Sequence, residues 1–533
     1  MKPIITLLFV VTTYVASAQI APFEIYIEPF NIPNLGGLQS YAYGQSENKW
    51  LVIGGRLDGL HRRQPFAAFD VAGNNNQIMV IDPINENVWS ASISSLPLEI
   101  QEQMSSTNME YYQEGNILYL LGGYGYDNAS NSKMTFPYMT AINVSELINA
   151  IVNSEDITGY FRQITDEKFV VTGGHLEKIN STFYLVGGNR FDGNYNPMGN
   201  PTYTQVYTDA IRKFDISDDG SSISISHYPE IIDSEYLHRR DYNAVPQILP
   251  NGEQGITAFS GVFQPDINVP FLHSVNIDES GFMLNENFTQ YYNHYHCPVL
   301  PMYSEQTNEM HNVFFGGIAQ YYEENGNVIQ DDNIPFVKTI ARVSRDASGQ
   351  MTEYKLPIEM PDFLGAGSDF ILLNDVPHFQ NNVIQLDQLA EDSTLVGFIY
   401  GGIASTDKNI FFTNTGTQSE ASNIIFKVYV IKVSISAIDE LNEESNNSLS
   451  VQIYPNPTAE GINLNFHLKE SSEVELFIHS SDGKLVYHQK FNQFPSGKNT
   501  LFPSNIPQLP ADIYTITLQT KTQRSVQKLI TQD

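Results

Sequence analysis

Arginine is scarce in this chain, and six of its arginines stand in short polar segments beside acids and aromatics. Arg56, Arg62 and Arg63 flank Asp58 and His61; Arg190 sits near Asp192 and Tyr195; Arg239 and Arg240 lie between His238 and Asp241. A further segment carries Tyr124, Tyr126 and Asp127. A planar guanidinium suits bidentate recognition of a carboxylate. An aromatic face beside it suits sugar stacking or a cation–π contact. The pattern predicts a pocket for an acidic or hydroxylated glycan built from Arg56, Asp58, Arg62, Tyr126, Arg190, Asp192, Tyr195, Arg239 and Arg240. The ordinary alternative is that these arginines pair with neighbouring acids or anchor one segment to the next. With 60 Asp and Glu against 28 Lys and Arg, the chain offers many such acids.

Other chemistry is harder to place. His294-Tyr295-His296-Cys297 gathers metal-ligating types, but a loop with a buried thiol uses them equally well. HExxH, Walker, GxSxG and CxxC patterns are absent from the sequence. The Asp/Asn-rich segments Asp127–Asn131 and Gln330–Asn333 could bind Ca²⁺, without the full spacing of an EF-hand loop. No catalytic residue, cofactor or resident metal is assigned, Ca²⁺ being the one ion these segments suggest.

Repetition dictates the elements that must carry these residues. Six apolar, β-rich runs each end in a small pair, at Gly54, Gly122, Gly187, Ser260, Gly316 and Gly401. The intervals are 68, 65, 73, 56 and 85 residues, the signature of a repeat fold. Runs of Val, Ile, Phe and Tyr mark buried strands, and paired small residues let the backbone take positive φ. Each run has companions: a third strand such as Ile78–Asp82 or Phe426–Val433, an outer strand such as Val88–Pro97, and a first strand such as Phe169–Gly174 or Asp241–Leu249. In the sixth unit the first strand is expected near Val376–Leu386. The sixth unit also lacks an outer strand of its own, and Phe23–Phe30 is the strand expected to supply it, closing the ring and removing a sheet edge. Strand alternation puts the loops after the small pairs on one face, where the arginines gather.

Small pairs ending the second strand, with an Asp-closed third strand, resemble kelch repeats over residues 19–434. The resemblance implies an all-β, six-bladed kelch-like β-propeller. Only Trp89 supplies the family's outer-strand Trp, and the blades are long for kelch. Galactose oxidase shares that propeller with His and Tyr copper ligands, and kelch-type sialic acid mutarotases act through acid–base residues. Here the two His lie two residues apart, and no acid–base pair stands out in the sequence.

The two ends read as addresses. Lys2, the apolar run Ile4–Val11 and Ala16-Ser17-Ala18 have the parts of a secretory signal peptide over residues 1–18. Residues 435–448 form a polar, acidic linker. From 449 to 533 alternating strands follow Tyr454-Pro455-Asn456-Pro457, with a hairpin turn at Asp482-Gly483, then Tyr514 and a closing Lys528-Leu529-Ile530. This constellation resembles the type A (Por-type) C-terminal sorting domain of type IX secretion cargo, giving a small β-sandwich. Asp512 stands where that family usually has Gly. The resemblance implies the type IX machinery as a partner and the surface or surroundings of a Gram-negative bacterium as the destination. The net charge of −32 disfavours a nucleic-acid or anionic-membrane partner, and the mature chain has no apolar run long enough for a spanning helix. The single cysteine allows no intrachain disulfide. The expected function is non-catalytic recognition of a glycan or surface partner. The alternatives are a carbohydrate-active enzyme of the mutarotase or oxidase kind, and a structural surface protein with a protein partner.

Overall fold

The computed structural model describes residues 22–432, apart from 65–66, 197–201, 325 and 391–392. In the tail it describes residues 449–531, apart from 450, 455, 457, 459–460, 481–484, 504–505 and 521–523. The expected signal peptide and acidic linker lie outside the described residues. The protein is all-β, and its residues form two compact units, Glu24–Lys432 and a second that holds the C-terminal tail.

The larger unit is built on six sheets, each with four antiparallel strands, to which the third and fifth add a short fifth strand. The first strands of the six blades are Ala42–Ser46, Glu110–Glu114, His175–Ile179, Asn243–Ile248, Val299–Ser304 and Ser368–Leu372. The second strands are Lys49–Ile53, Ile117–Leu121, Thr182–Val186, Gln254–Phe259, Glu309–Phe315 and Ser393–Gly401, the apolar runs of the sequence. Each second strand is buried almost throughout, as in Lys49–Ile53 with its pattern of one half-buried and four buried residues. Its small pair turns the chain out of the sheet: Gly122 holds φ +61°, and a Cβ there would come within 2.0 Å of the Val171 carbonyl oxygen. In the fourth blade Ser260 takes the same left-handed conformation at φ 49°.

One chain of backbone hydrogen bonds closes the ring. Just before the first strands, Asn108 N–H donates to Ser40 O (3.2 Å), Gly173 to Asn108 (3.3 Å) and Asp241 to Gly173 (2.8 Å). His296 donates to Asp241 (3.2 Å), Gly367 to His296 (3.0 Å), and Ser40 back to Gly367 (2.7 Å). Six blades joined head to tail in this way form a β-propeller. The sixth sheet takes its outer strand from the N-terminus, in the order Phe23–Phe30, Ile425–Lys432, Ser393–Gly401, Ser368–Leu372. Phe23 and Ile25 are buried against it.

Two first strands depart from the sequence expectation. In the third blade the strand is His175–Ile179, not Phe169–Gly174. Phe169 and Val171 are buried in an arch leading into it, and Gly173 at φ 69° ends that arch. In the sixth blade the strand is Ser368–Leu372, whereas the apolar stretch after Val376 is an insertion whose Ile384–Gln385 pairs in parallel with Met302–Tyr303 of the fifth blade. Four of the loops after the small pairs fold into hairpins, Tyr124–Asp127 with Ser132–Thr135, Asn189–Gly193 with Tyr203–Tyr207, Tyr321–Glu324 with Asn327–Gln330, and Ile403–Ser405 with Ser419–Ala421. Two helices, α1 (Leu98–Met104) and α2 (Val144–Val152), pack their apolar faces between the first two blades. No helix among the described residues is long and apolar enough to cross a membrane.

The tail folds into two sheets, one of three strands and one of four, around buried Leu464, Phe466, Leu476, Ile478, Tyr514 and Leu518. The strands Ser472–Ser480 and Leu485–Phe494 pair as the expected hairpin, whose turn with Gly483 lies outside the described residues. Pro455 and Pro457 also lie outside them. Asn456 accepts a hydrogen bond from the Ile530 N–H (2.8 Å), tying the start of the domain to its last strand. Tyr514 is buried and donates to the Pro510 carbonyl (3.2 Å). Lys528 stands opposite Thr515 in the closing strand. Asp512, at the position of the expected turn, donates its N–H to Thr531 Oγ1 (2.9 Å).

Candidate functional site

The six first strands surround a central cavity of about 550 Å³. At one end lies the hydrogen-bonded ring; Ser40, Asn108, Gly173, Asp241 and His296 of that ring line the cavity. At the other end its lining reaches the exposed turn residues Glu47, Gly115, Asn116 and Asn374, so the channel opens there.

The wall is polar because a first strand alternates. In His175–Ile179, His175 and Glu177 border the channel two residues apart, while Leu176 between them packs in the blade core. Tyr41, Tyr43, Tyr111, Tyr112 and Tyr242 supply phenols, and Glu110, Glu177, Asp241 and Asp369 supply carboxyls. His296 Nε2 lies 3.2 Å from Asp369 Oδ1, and the His175 ring meets the His296 ring edge-on at 5.4 Å between centroids. His175 Nε2 also hydrogen-bonds with the Tyr242 carbonyl. Glu110 accepts from Gly174 N–H at 2.8 Å through one oxygen, and its other oxygen is buried without a partner.

Burial pushes the Glu110 carboxyl up to about 8, against the pull of the Gly174 N–H. Burial alone pushes Glu177 up to about 8. Burial, with neighbouring His296, drives His175 down to about 4. For His296 burial acts in the opposite direction but loses to the Asp369 hydrogen bond and charge, so the imidazolium is favoured. Burial and then the Asp369 carboxylate raise the Tyr43 and Tyr111 phenols. At neutral pH the channel therefore holds neutral carboxylic acids and a neutral imidazole beside the His296–Asp369 pair. Such groups can donate and accept hydrogen bonds to hydroxyls and can exchange protons with a bound molecule.

The arginines expected at a ligand site lie at the ring end, on the face away from the open mouth, and none of the nine expected residues lines the channel. Arg56 is buried and forked onto Asp58 (2.7 and 2.6 Å), with Asn74 and the Asp70 carbonyl as further acceptors. Arg190 bridges Glu167 (2.9 Å) and Asp192 (2.6 Å). Arg239 is buried, donates to the carbonyls of Tyr236, Ser260 and His273, and lies over Phe271. Arg240 holds Asp241 and the Tyr207 hydroxyl. Tyr195 packs against His61, Phe69 and Phe191, and Tyr126 donates to Asn131. Arg62 is exposed beside Gly416. The structure brings Arg56, His61, Tyr195, Arg240 and Asp241 near one another, and the burial there drives His61 down to about 4. Arg56, Arg190, Arg239 and Arg240 thus have acids and carbonyls as partners.

The His-Tyr-His-Cys segment divides. His294 is buried, with the Gln320 N–H donating to its Nδ1 (3.0 Å), whereas His296 faces the channel. Cys297 is buried beside Asn243, and burial pushes its thiol up to about 12. Among the described residues no group of three or more His, Cys, Asp or Glu is placed to hold a metal ion. The Asp127 and Asp331 carboxylates accept from backbone N–H groups of their own turns. Apart from Asp241, His296 and Cys297, the channel residues escaped sequence reading because apolar runs draw attention and polar-alternating strands do not. A usable signal was the polar alternation of His175 and Glu177 directly after Gly173-Gly174.

Residues 452–532 match the family described as the secretion system C-terminal sorting domain. No curated protein matches the chain. A solved structure titled "Structure of YjhT" aligns with 76% of this chain and 97% of its own at 10% identity and a TM-score of 0.42. The tail match supports export by the type IX secretion system to the cell surface.

Proposed function

We propose that this chain is an exported kelch-like propeller that binds a glycan in its central channel, with no chemistry of its own. One observation carries the reading: a channel of about 550 Å³, open at one end, is walled by phenols, amides and carboxyls interleaved with apolar side chains. Sugars present hydroxyls and flat apolar patches, and phenols and amides answer both. The small pairs at the blade ends support the kelch assignment. The ring-end arginines support binding less well, since Arg56, Arg190, Arg239 and Arg240 already donate to acids and carbonyls. A glycan array on the full chain tests this. Binding lost in Asn374→Trp, at the exposed mouth, and kept in Arg190→Ala supports a channel site. The reverse pattern would move the site to the ring-end loops.

The pairing of His296 with Asp369 beside the protonated Glu177 favours one second reading, proton transfer at the anomeric centre of a reducing sugar. Anomer interconversion followed by NMR tests it, and a rate equal to that of buffer would exclude it.

A further inference from the structure

The ionisable side chains that line the channel are mostly carboxyl groups. Glu47, Glu110, Glu177, Asp241 and Asp369 border it, and among the described residues no lysine or arginine does. Two of these five acids have basic partners: Asp241 holds Arg240 and Asp369 holds His296. Glu47 is exposed at the mouth, and the other two lie deeper without a basic partner. Glu177 is half-buried and makes no hydrogen bond or ion pair among the described residues. Glu110 is 2% exposed, and one of its carboxylate oxygens has no partner. An anionic ligand would meet carboxyl groups with no guanidinium to answer it. A cation would find a carboxylate to pair with and tyrosines along the wall, the surroundings that suit an ammonium group.

From this we infer that the ligand of the channel carries an ammonium group, as an amino sugar does, and that Glu177 is its counter-ion. The inference deepens the proposed function and rests on the channel being the ligand site. It reverses the acidic-glycan preference that the arginine-rich loops suggest in the sequence. Burial holds the empty Glu177 protonated, up to about 8, and an arriving ammonium would displace that proton to solvent as it docks.

Calorimetric titration of the full chain at neutral pH tests this with four probes: the chitin disaccharide, its de-acetylated form, a galacturonate disaccharide and choline. The expected result is binding of the de-acetylated sugar at least about tenfold tighter than the acetylated one, as for one charge-assisted hydrogen bond. Glu177→Gln, which should melt no lower than the parent because burial disfavours the carboxylate, should erase that preference. A preference that survives Glu177→Gln overturns the counter-ion. Equal or better binding of the acetylated or acidic sugar overturns the inference and leaves the glycan reading standing. Binding of choline alone supports the cationic channel and overturns the glycan reading. Binding of no probe overturns both.

Discussion

Removing residues 23–30 should open the propeller. That strand is the outer edge of the sixth sheet, and it comes from the opposite end of the unit's sequence. Phe23 and Ile25 are 2% and 6% exposed. Burying each stabilises by about 1.5–3 kcal/mol, so their loss alone costs about 3–6 kcal/mol. Tyr26 packs on Tyr429 (5.8 Å between centroids), Phe30 on Phe398 (6.0 Å), and Glu28 lies 3.7 Å from Lys427. The cut also exposes the backbone edge of Ile425–Lys432. The total rivals the whole stability of many domains, about 5–15 kcal/mol. Melting followed by circular dichroism should fall by about 10 °C or more. A synthetic peptide of the deleted sequence should restore part of the loss by pairing with the open edge. A deletion variant melting within about 2 °C of the intact chain would refute ring closure by this strand.

Other outcomes follow from single residues. Unfolded Glu110 would lose its proton near 4.5, whereas burial holds it in the fold to about 8, so its contribution to stability falls as pH rises through that window. Glu110→Gln should match the parent at pH 4 and gain roughly 5 kcal/mol over it by pH 8.5, and melting curves that stay parallel across that range would exclude the effect. Arg56→Met strands Asp58 and empties a buried fork; it should cost about 3 kcal/mol in urea denaturation and leave glycan affinity unchanged. The buried Cys297 thiol, held up to about 12, should react with a thiol reagent only after unfolding, and fast labelling of the native chain would contradict its burial. Tyr514→Ala should empty part of the tail core at about 3–5 kcal/mol and strand the protein in the periplasm, read by cell fractionation.

The blades were legible in the sequence because second strands are buried on both faces and read as continuous apolar runs. Gly54, Gly122 and their counterparts then punctuate them at a position where positive φ and close backbone approach both favour glycine. The closing strand was legible for a related reason: Phe23 and Ile25 alternate with outward residues beside an incomplete sixth unit. First strands were harder. Their channel-facing residues are polar, so Phe169–Val171 looked more strand-like than His175–Ile179, though only the latter pairs as the first strand. The same misreading hid the site. Arg190 and Arg239 stood out as rare cations on long loops, yet acids and carbonyls inside the blades occupy them. Nothing local to Glu110 or Asp369 marks them as lining one cavity; the closed ring brings both to its wall across more than two hundred residues.

The most direct test of a channel site is a crystal structure of the full chain with the tightest glycan from the array. The account predicts ligand density between the first strands, within reach of Glu177 and the His296–Asp369 pair. Density confined to the ring-end loops around Arg62 and Arg190, with an empty channel, would contradict it.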